Sequence, residues 1–453
     1  MLTLPRDAWP RLESDRATSR AIAVLYAVVL LYLVAELTRS VARADHVIFT
    51  DGYVAVGEAV LQGHDPYALR ANTWPPFFLF LGTLLALAAR VSPPGALLLW
   101  QLSSVLCIWG SLRLLARFFT PRGDEISFWP RSPARPAFAS APIIVPVLMS
   151  ARLIQDNLQH TQINPHLLFL VLLAFLLFRQ ERHWRGGATL ALAASIKAVP
   201  VVVVLYFLYK RKWAAAGWTV VFLILLNVVL PGAVFGPEGT VALWERWLQV
   251  SGTMSLAAGG HHFNQSLLAA LRRVLSVWGG EANPIRYEIA DLSPEAVNRV
   301  FVGSGVLVAL GLAWMFRRHP RDLRHVTCAA EYAIVLGAVT LLSPLAWKGP
   351  YITLLPTYFF GWSRLRELPP GSARRWRFVL WWASFAGITL SAPGFLGKHL
   401  ADRLESLSVV TVGAILSLSL GLSVLPAMRV GSRGVAHDQA PQQVPPGRRA
   451  PGR

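Results

Sequence analysis

The chain predicts an all-α, polytopic membrane bundle, and three observations carry that expectation. It is 54% hydrophobic and only 15% charged over 453 residues. Apolar runs near the length of a bilayer crossing recur from end to end. Lys and Arg collect in short clusters between those runs, the pattern that fixes orientation in a bilayer. A soluble globular domain is excluded. The net charge of +19 would raise nucleic acid as a partner of a soluble protein, but no basic, aromatic-interleaved module is present. No nucleic-acid partner is expected.

Taken in order, apolar spans fall at 21–41, 95–118, 138–154, 163–178, 213–231, 296–316, 326–347, 351–362, 377–393 and 404–428. The first is too long for a signal-peptide core and no small-residue cleavage site follows, so it reads as a transmembrane helix. Two stretches, 75–90 and 186–209, are ambiguous. The basic clusters at 117–135, 179–185, 210–212, 317–324 and 364–377 are expected on the cytoplasmic side. Both ends of 186–209 then face the same way, which requires two short segments meeting near Lys197 and Pro200. By the same parity 75–90 lies along the outer interface as an amphipathic helix; the alternative makes it a full span. The result is a bundle of about twelve crossings with both termini inside. Roughly two thirds of all Lys and Arg then lie on the cytoplasmic side.

This gives a cytoplasmic segment at 1–20, a transmembrane domain at 21–428 and a tail at 429–453 whose Gly, Pro, Gln and Arg content predicts disorder. Large outer loops are expected at about 42–94 and 232–295, the second with a short amphipathic helix at 266–275. No internal repeat is found, against an inverted-repeat transporter. Cys107 and Cys328 lie in apolar spans with no metal-ligand spacing and read as buried thiols.

Hydrophilic residues in or beside apolar spans are costly and therefore informative. On this topology they gather on the outer side: Asp45, Asp51, Glu58 and Asp65 in the first loop; Arg152, Asp156, Asn157, His160, Gln162 and Asn164 after the third crossing; Lys197 at the tip of the broken pair; His261, His262, Asn264 and Gln265 in the large loop; Trp347, Lys348 and Tyr351 at a later turn. Bland alternatives stand beside each. Asp51 could N-cap a helical run at 52–61, Asp65-Pro66-Tyr67 reads as a turn with Asp65 on local backbone, and Lys197 could snorkel. His261-His262 lacks a third metal ligand at a recognisable spacing. Glu331, nearer the inner end of its span, reads as structurally paired, and Glu36 with Arg39 could pair with each other.

These stations, in this order, resemble glycosyltransferase family 87, the polyprenol-phosphate-mannose-dependent membrane mannosyltransferases of GT-C architecture. The resemblance rests on Asp51 with Tyr53, on Leu61-Gln62-Gly63-His64-Asp65-Pro66-Tyr67, and on Trp74-Pro75-Pro76 and Leu99-Trp100. It continues through Asn157, Gln162-Ile163-Asn164, Lys197-Ala198-Val199-Pro200, Tyr209-Lys210-Arg211-Lys212-Trp213, Asn264-Gln265-Ser266-Leu267 and Ser343-Pro344 with Trp347. It covers about residues 20–365. The chain departs from the pattern at Thr161-Gln162, where relatives usually have Gly-Gln, and at Lys348, where they usually carry His.

The resemblance implies inverting transfer of a hexose, mannose by the family's habit, from a polyprenyl-phosphate sugar to a lipid- or glycan-linked acceptor. The chemistry would sit on the extracytoplasmic face of the plasma membrane, in cell-envelope biogenesis. A general base must reach the acceptor hydroxyl, and Asp51 is the expected one, with Asp45 as rival. Lys197, His261, His262 and Lys348 are expected to bind the donor phosphate, with Arg152 as a further candidate. Tyr53, Asp65, Gln162, Asn164, Asn264, Gln265 and Trp347 are expected around sugar and acceptor, and the helix at 75–90 along the isoprenoid groove. No Asp-x-Asp pair occurs, so no metal and no cofactor beyond the donor substrate are expected. The alternatives are a flippase for lipid-linked sugars and a non-catalytic envelope-assembly protein.

Overall fold

In a computed structural model of the chain, the described residues are 48–69, 72–119, 141–257, 259–277 and 283–435, with Ala35 and Arg39. The expected first span, Asp45, the Glu36–Arg39 pairing, the segment 121–140 and the tail beyond Val435 lie outside them. Among the described residues every regular element is helical. In chain order these are α1 (Ala55–Leu61), α2 (Phe78–Val91), α3 (Pro93–Phe119), α4 (Ala141–Met149), α5 (Ala151–Gln159), α6 (Asn164–Arg179), α7 (His183–Ile196), α8 (Val203–Tyr209) and α9 (Trp213–Ile224). They continue with α10 (Leu230–Ala257), α11 (Leu267–Leu275), α12 (Pro294–Phe316), α13 (Val326–Leu341), α14 (Leu355–Glu367), α15 (Ser372–Phe385), α16 (Pro393–Leu396), α17 (Lys398–Ser406) and α18 (Val409–Val435).

Three helical runs are long and apolar enough to cross a membrane: Pro93–Phe119, Trp213–Met254 and Pro294–Phe316. The pair Lys398–Ser406 and Val409–Leu425, bent by 64°, would make a fourth if it is one span. Others are apolar but only 10–17 residues long, so a count of twelve does not follow from helix length. The breaks have local causes. The run at 138–154 carries Pro146 and changes direction at Ser150 between α4 and α5. The break expected near Lys197 is present: α7 ends at Ile196, Lys197 is extended, and Pro200 opens the next turn. Helix α11 begins where expected, capped by the Ser266 hydroxyl, which accepts from Ala269 N–H. Helix α18 runs seven residues past the Met428 boundary that composition marks, to Val435.

The large outer loop starts differently from expectation. The helical run does not stop at Gly232 but kinks at Gly236, whose φ of 74° is a left-handed conformation that glycine adopts without a Cβ penalty, with Pro237 behind it. Unkinked, residues 227 and 244 would be separated by about 25 Å of helical rise. Instead Trp244 Nε1 donates to the Asn227 carbonyl at 3.0 Å, so the second half of α10 folds back. It then reaches the first loop, where Trp247 Nε1 donates to the Thr73 carbonyl at 3.0 Å and Arg246 pairs with Asp65 at 2.6 Å.

The core is one apolar and aromatic cluster. Tyr53, Trp74, Phe78 and Trp100 pack with centroids 4.7–5.4 Å apart, mostly edge-on or tilted, gluing α2 and α3 to the turn before α1. There, α1 and α2 cross so closely that a Cβ on Gly57 would stand 2.0 Å from the Gly82 carbonyl oxygen. Glu331 is paired as expected. It accepts from Lys210 Nζ at 2.7 Å and Tyr206 OH at 2.9 Å and bonds the His319 imidazole, all fully enclosed.

Candidate active site

Asp51 lies on a single π-helical turn, Phe49–Val54, a conformation frequent at functional sites, though two more occur at Leu225–Val229 and Ala386–Leu390. It is not the N-cap of a run starting at Gly52, because helical geometry already includes Ile48. The turn is anchored on either side of Asp51. Phe49 N–H donates to Thr161 Oγ1 at 3.0 Å, and Tyr53 OH accepts from Ile163 N–H at 2.9 Å. Asp51 itself is exposed, leaving its carboxylate open to water.

The turn at 161–164 is the hub of a polar cluster. Asn164 Oδ1 accepts from Lys197 Nζ at 3.1 Å, while its amide donates to Asn157 Oδ1 at 2.9 Å and Gln162 Oε1 at 3.4 Å. Asn157 in turn donates to the Gly349 carbonyl at 2.8 Å. A Cβ on Gly349 would sit 3.1 Å from Asp156 Oδ2 and from Asn164 Nδ2, so the loop after Trp347 packs tightly on this cluster. From Lys197 and Asn164 an apolar groove of about 50 Å³ opens between α6, the Val199–Val202 turn and α13. Leu168, Val171, Val203, Leu336 and Val339 line it. The helix at 75–90, expected along such a groove, is not among its walls.

A second set of charges adjoins through the backbone. Lys348 Nζ donates to both oxygens of Glu405, at 3.1 and 3.0 Å, and the same carboxylate pairs with Arg152. Arg152 and Glu405 are buried, and Lys348 is partly exposed. Asp402 and Asp156 lie close to the same set, so Lys348 presents its ammonium at the water-facing edge of a mixed-charge cluster.

The other expected site residues divide by how far their polar atoms are committed. Tyr53, Asn264 and Gln265 are enclosed and serve the framework. Asn264 Oδ1 accepts from the Ser266 and Ala346 amides, and Gln265 Nε2 donates to the carbonyls of His262 and Glu405. Asp65 makes the expected turn, accepting from Tyr67 N–H at 2.9 Å. Burial raises its carboxyl, but Arg246 and the Tyr67 amide outweigh that and hold it below the usual carboxylate range. This pair is nearly half exposed and contributes little stability. His261 is held below the usual imidazole range by burial, then by His262 and Arg273; at neutral pH it is uncharged and offers hydrogen bonds, not a positive charge. His262 is buried with both ring nitrogens unbonded. Trp347 is exposed.

Thr161 explains a departure from the family's Gly-Gln. Its φ is +52°, in the left-handed region that closes α5: Thr161 N–H donates to Leu158 O and Gln162 N–H to Asn157 O. A β-branched residue there is strained, at a cost of about 1–3 kcal/mol. Its hydroxyl offsets this by accepting from Phe49 N–H and donating to the His160 carbonyl at 2.7 Å. Thr161→Val keeps the strain and loses both bonds, so it is expected to destabilise by about 1–3 kcal/mol. Thr161→Gly exchanges strain for the bonds and is expected to melt within about 1 kcal/mol of the parent. Thermal unfolding in detergent compares the two.

Sequence reasoning missed Glu405 and Asp402. Glu405 meets Arg152 across 253 positions, and no local pattern announces such a contact; its one signal was two carboxylates close together beside an apolar run. His262, Asp402 and Glu405 bring ligand atoms within 4.8 Å of one another, the one such group among the described residues. A metal ion there would have to share Glu405 with Arg152 and Lys348.

Comparison with known proteins decides the family. The profile described as Glycosyltransferase family 87 matches residues 72–344, more than half of the chain. The chain belongs to glycosyltransferase family 87. It is therefore a membrane glycosyltransferase. Among curated family 87-like relatives, the polyprenol-phosphate-mannose-dependent alpha-(1-2)-phosphatidylinositol mannoside mannosyltransferase of Mycobacterium tuberculosis is 26% identical over 372 residues, 75% of this chain and 78% of the relative. The protein of the same description from Mycolicibacterium smegmatis is 27% identical over 70% of each chain. The corresponding pentamannoside mannosyltransferase of that organism is 24% identical over 76% of this chain and 73% of its own. No solved structure gives a significant match to this family 87 chain.

Proposed function

We propose that the protein transfers a mannosyl unit, with inversion, from a polyprenyl-phosphate carrier to a hydroxyl of a lipid- or glycan-linked acceptor. The observation that carries this reading is the apolar groove ending at Lys197 and Asn164. The groove's apolar walls suit the first part of an isoprenoid chain, whose phosphate would meet the ammonium and the amides of Asn164 and Gln162. Asp51 takes the proton of the acceptor hydroxyl as its oxygen attacks the anomeric carbon. The bond from that carbon to the phosphate oxygen breaks, and the electron pair leaves with polyprenyl phosphate. Lys197, with the Lys348 ammonium, stabilises the developing negative charge; His261 and His262 add ring N–H donors. Asp65 and Trp347, both exposed, are proposed to meet sugar or acceptor, while Tyr53, Asn264 and Gln265 act through the backbone they hold.

The chemistry is proposed for the extracytoplasmic face of the plasma membrane, within the twelve-crossing topology and without a metal. The relatives' names point to a phosphatidylinositol mannoside as the first acceptor to test. The flippase alternative requires charged groups along a path through the bilayer, but Glu331, the deep one, is tied up by Lys210, Tyr206 and His319.

The test is transfer of radiolabelled mannose from polyprenyl-phosphate-mannose by the purified chain. Lys197→Gln should lower kcat/KM for the donor by about 10–100-fold, the loss of one charge-assisted hydrogen bond, with Lys197→Arg retaining more. Movement of lipid-linked sugar between leaflets without transfer would overturn the enzyme reading.

A further inference from the structure

Helices α6 and α7 connect the site above to a second cavity at their other ends, about 20–24 Å away along the helix axes. Asn164 and Lys197 line the first cavity, and Arg179 and His183 the second. The second encloses about 300 Å³. Three basic segments far apart in sequence converge there: Arg179, the pair Arg211 and Lys212, and Arg324. Against these four cations stand two carboxylates, Glu181 and Asp322.

The two carboxylates are already committed. Glu181 pairs with Arg324 at 2.9 Å, and Asp322 accepts from Arg324 N–H at 3.0 Å. Arg179 and Arg324 also donate to each other's carbonyls. Arg211 and Lys212 make no side-chain hydrogen bond or ion pair among the described residues. Their position is fixed by the fold: Arg211 has φ +57°, and the turn is closed by Arg211 N–H to Leu208 O and Lys212 N–H to Phe207 O. Trp213, Ala214 and Ala215, the first turn of α9, also line the cavity, and this helix has no side-chain cap. Uncapped amides at a helix N-terminus, with the positive end of its dipole, favour an anion.

We infer that this cavity binds the phosphate of an anionic phospholipid headgroup, at the face opposite the transfer site. The surroundings favour a lipid over a free anion. Trp184 and Trp213 beside it are 53% and 65% exposed, as at a membrane interface. The positive-inside rule also assigns these basic segments to the leaflet that carries anionic lipid.

The experiment uses the full chain in detergent with added phosphatidylglycerol or phosphatidylcholine. Native mass spectrometry reads lipid retained, and thermal unfolding is followed in parallel with inorganic phosphate as the soluble probe. The parent should retain phosphatidylglycerol preferentially. Arg211→Asn with Lys212→Gln should weaken retention about tenfold, Asn being a residue that tolerates the left-handed turn. Glu181→Gln should strengthen it by removing a competing charge. Protection by inorganic phosphate that depends on Arg211 and Lys212, with no lipid preference, would overturn the lipid assignment. Retention equal in the parent and the double variant would overturn the site itself.

Discussion

Asp51→Asn is expected to give a folded protein whose mannosyl transfer falls by about 10²–10⁴-fold, the usual contribution of a general base. Folding should survive because the π-helical turn does not depend on the carboxylate. It is pinned by Phe49 N–H on Thr161 and by Tyr53 OH on Ile163 N–H, and Asp51 is exposed. Glu58→Gln is the control: it removes a carboxylate from the same loop, one that Arg90 holds at 2.6 Å on the surface, and should leave transfer unchanged. Unfolding midpoint and product formation are measured on the same preparations. If Asp51→Asn turns over normally while Asp45→Asn does not, the base is Asp45.

Glu405→Ala is expected to be the most destabilising single change considered, by about 3–5 kcal/mol, because it leaves Arg152 buried without its counter-charge. Arg152 would keep only the Ser391 hydroxyl at 2.7 Å and a carbonyl at Ile388. Lys348→Met should be milder, since Lys348 is partly exposed and Arg152 still neutralises Glu405. The two variants separate structural from chemical roles. Chemical denaturation should shift strongly for Glu405→Ala, whereas Lys348→Met should keep most of its stability and lose donor affinity. An unchanged midpoint for Glu405→Ala would mean that water reaches Arg152.

The residues that make the chemistry legible are those with strong local signatures. Asp65-Pro66-Tyr67 reads as a turn and forms one; the break at Lys197 follows from charge parity and Pro200; Ser266 caps the helix expected after it. The partner of Glu331 was expected in kind, and Lys210 supplies it. The split of the expected polar residues was not legible. Asn264 and Gln265 look like sugar ligands in a sequence, but in the fold their amides hold backbone. Whether an amide meets a ligand or a carbonyl depends on what the chain brings opposite it.

The sequence by itself determined an apolar helical bundle, its basic and polar ends, and its family, because hydropathy, charge clusters and ordered motifs are properties of neighbouring residues. Only the tertiary structure decided that Arg152, Lys348 and Glu405 share one charge set, that Gly236 turns α10 back over the first loop, and that three basic segments surround one cavity. Those outcomes rest on contacts between positions far apart in the chain. Electrostatic and packing energies depend on separation in space, which no local pattern encodes.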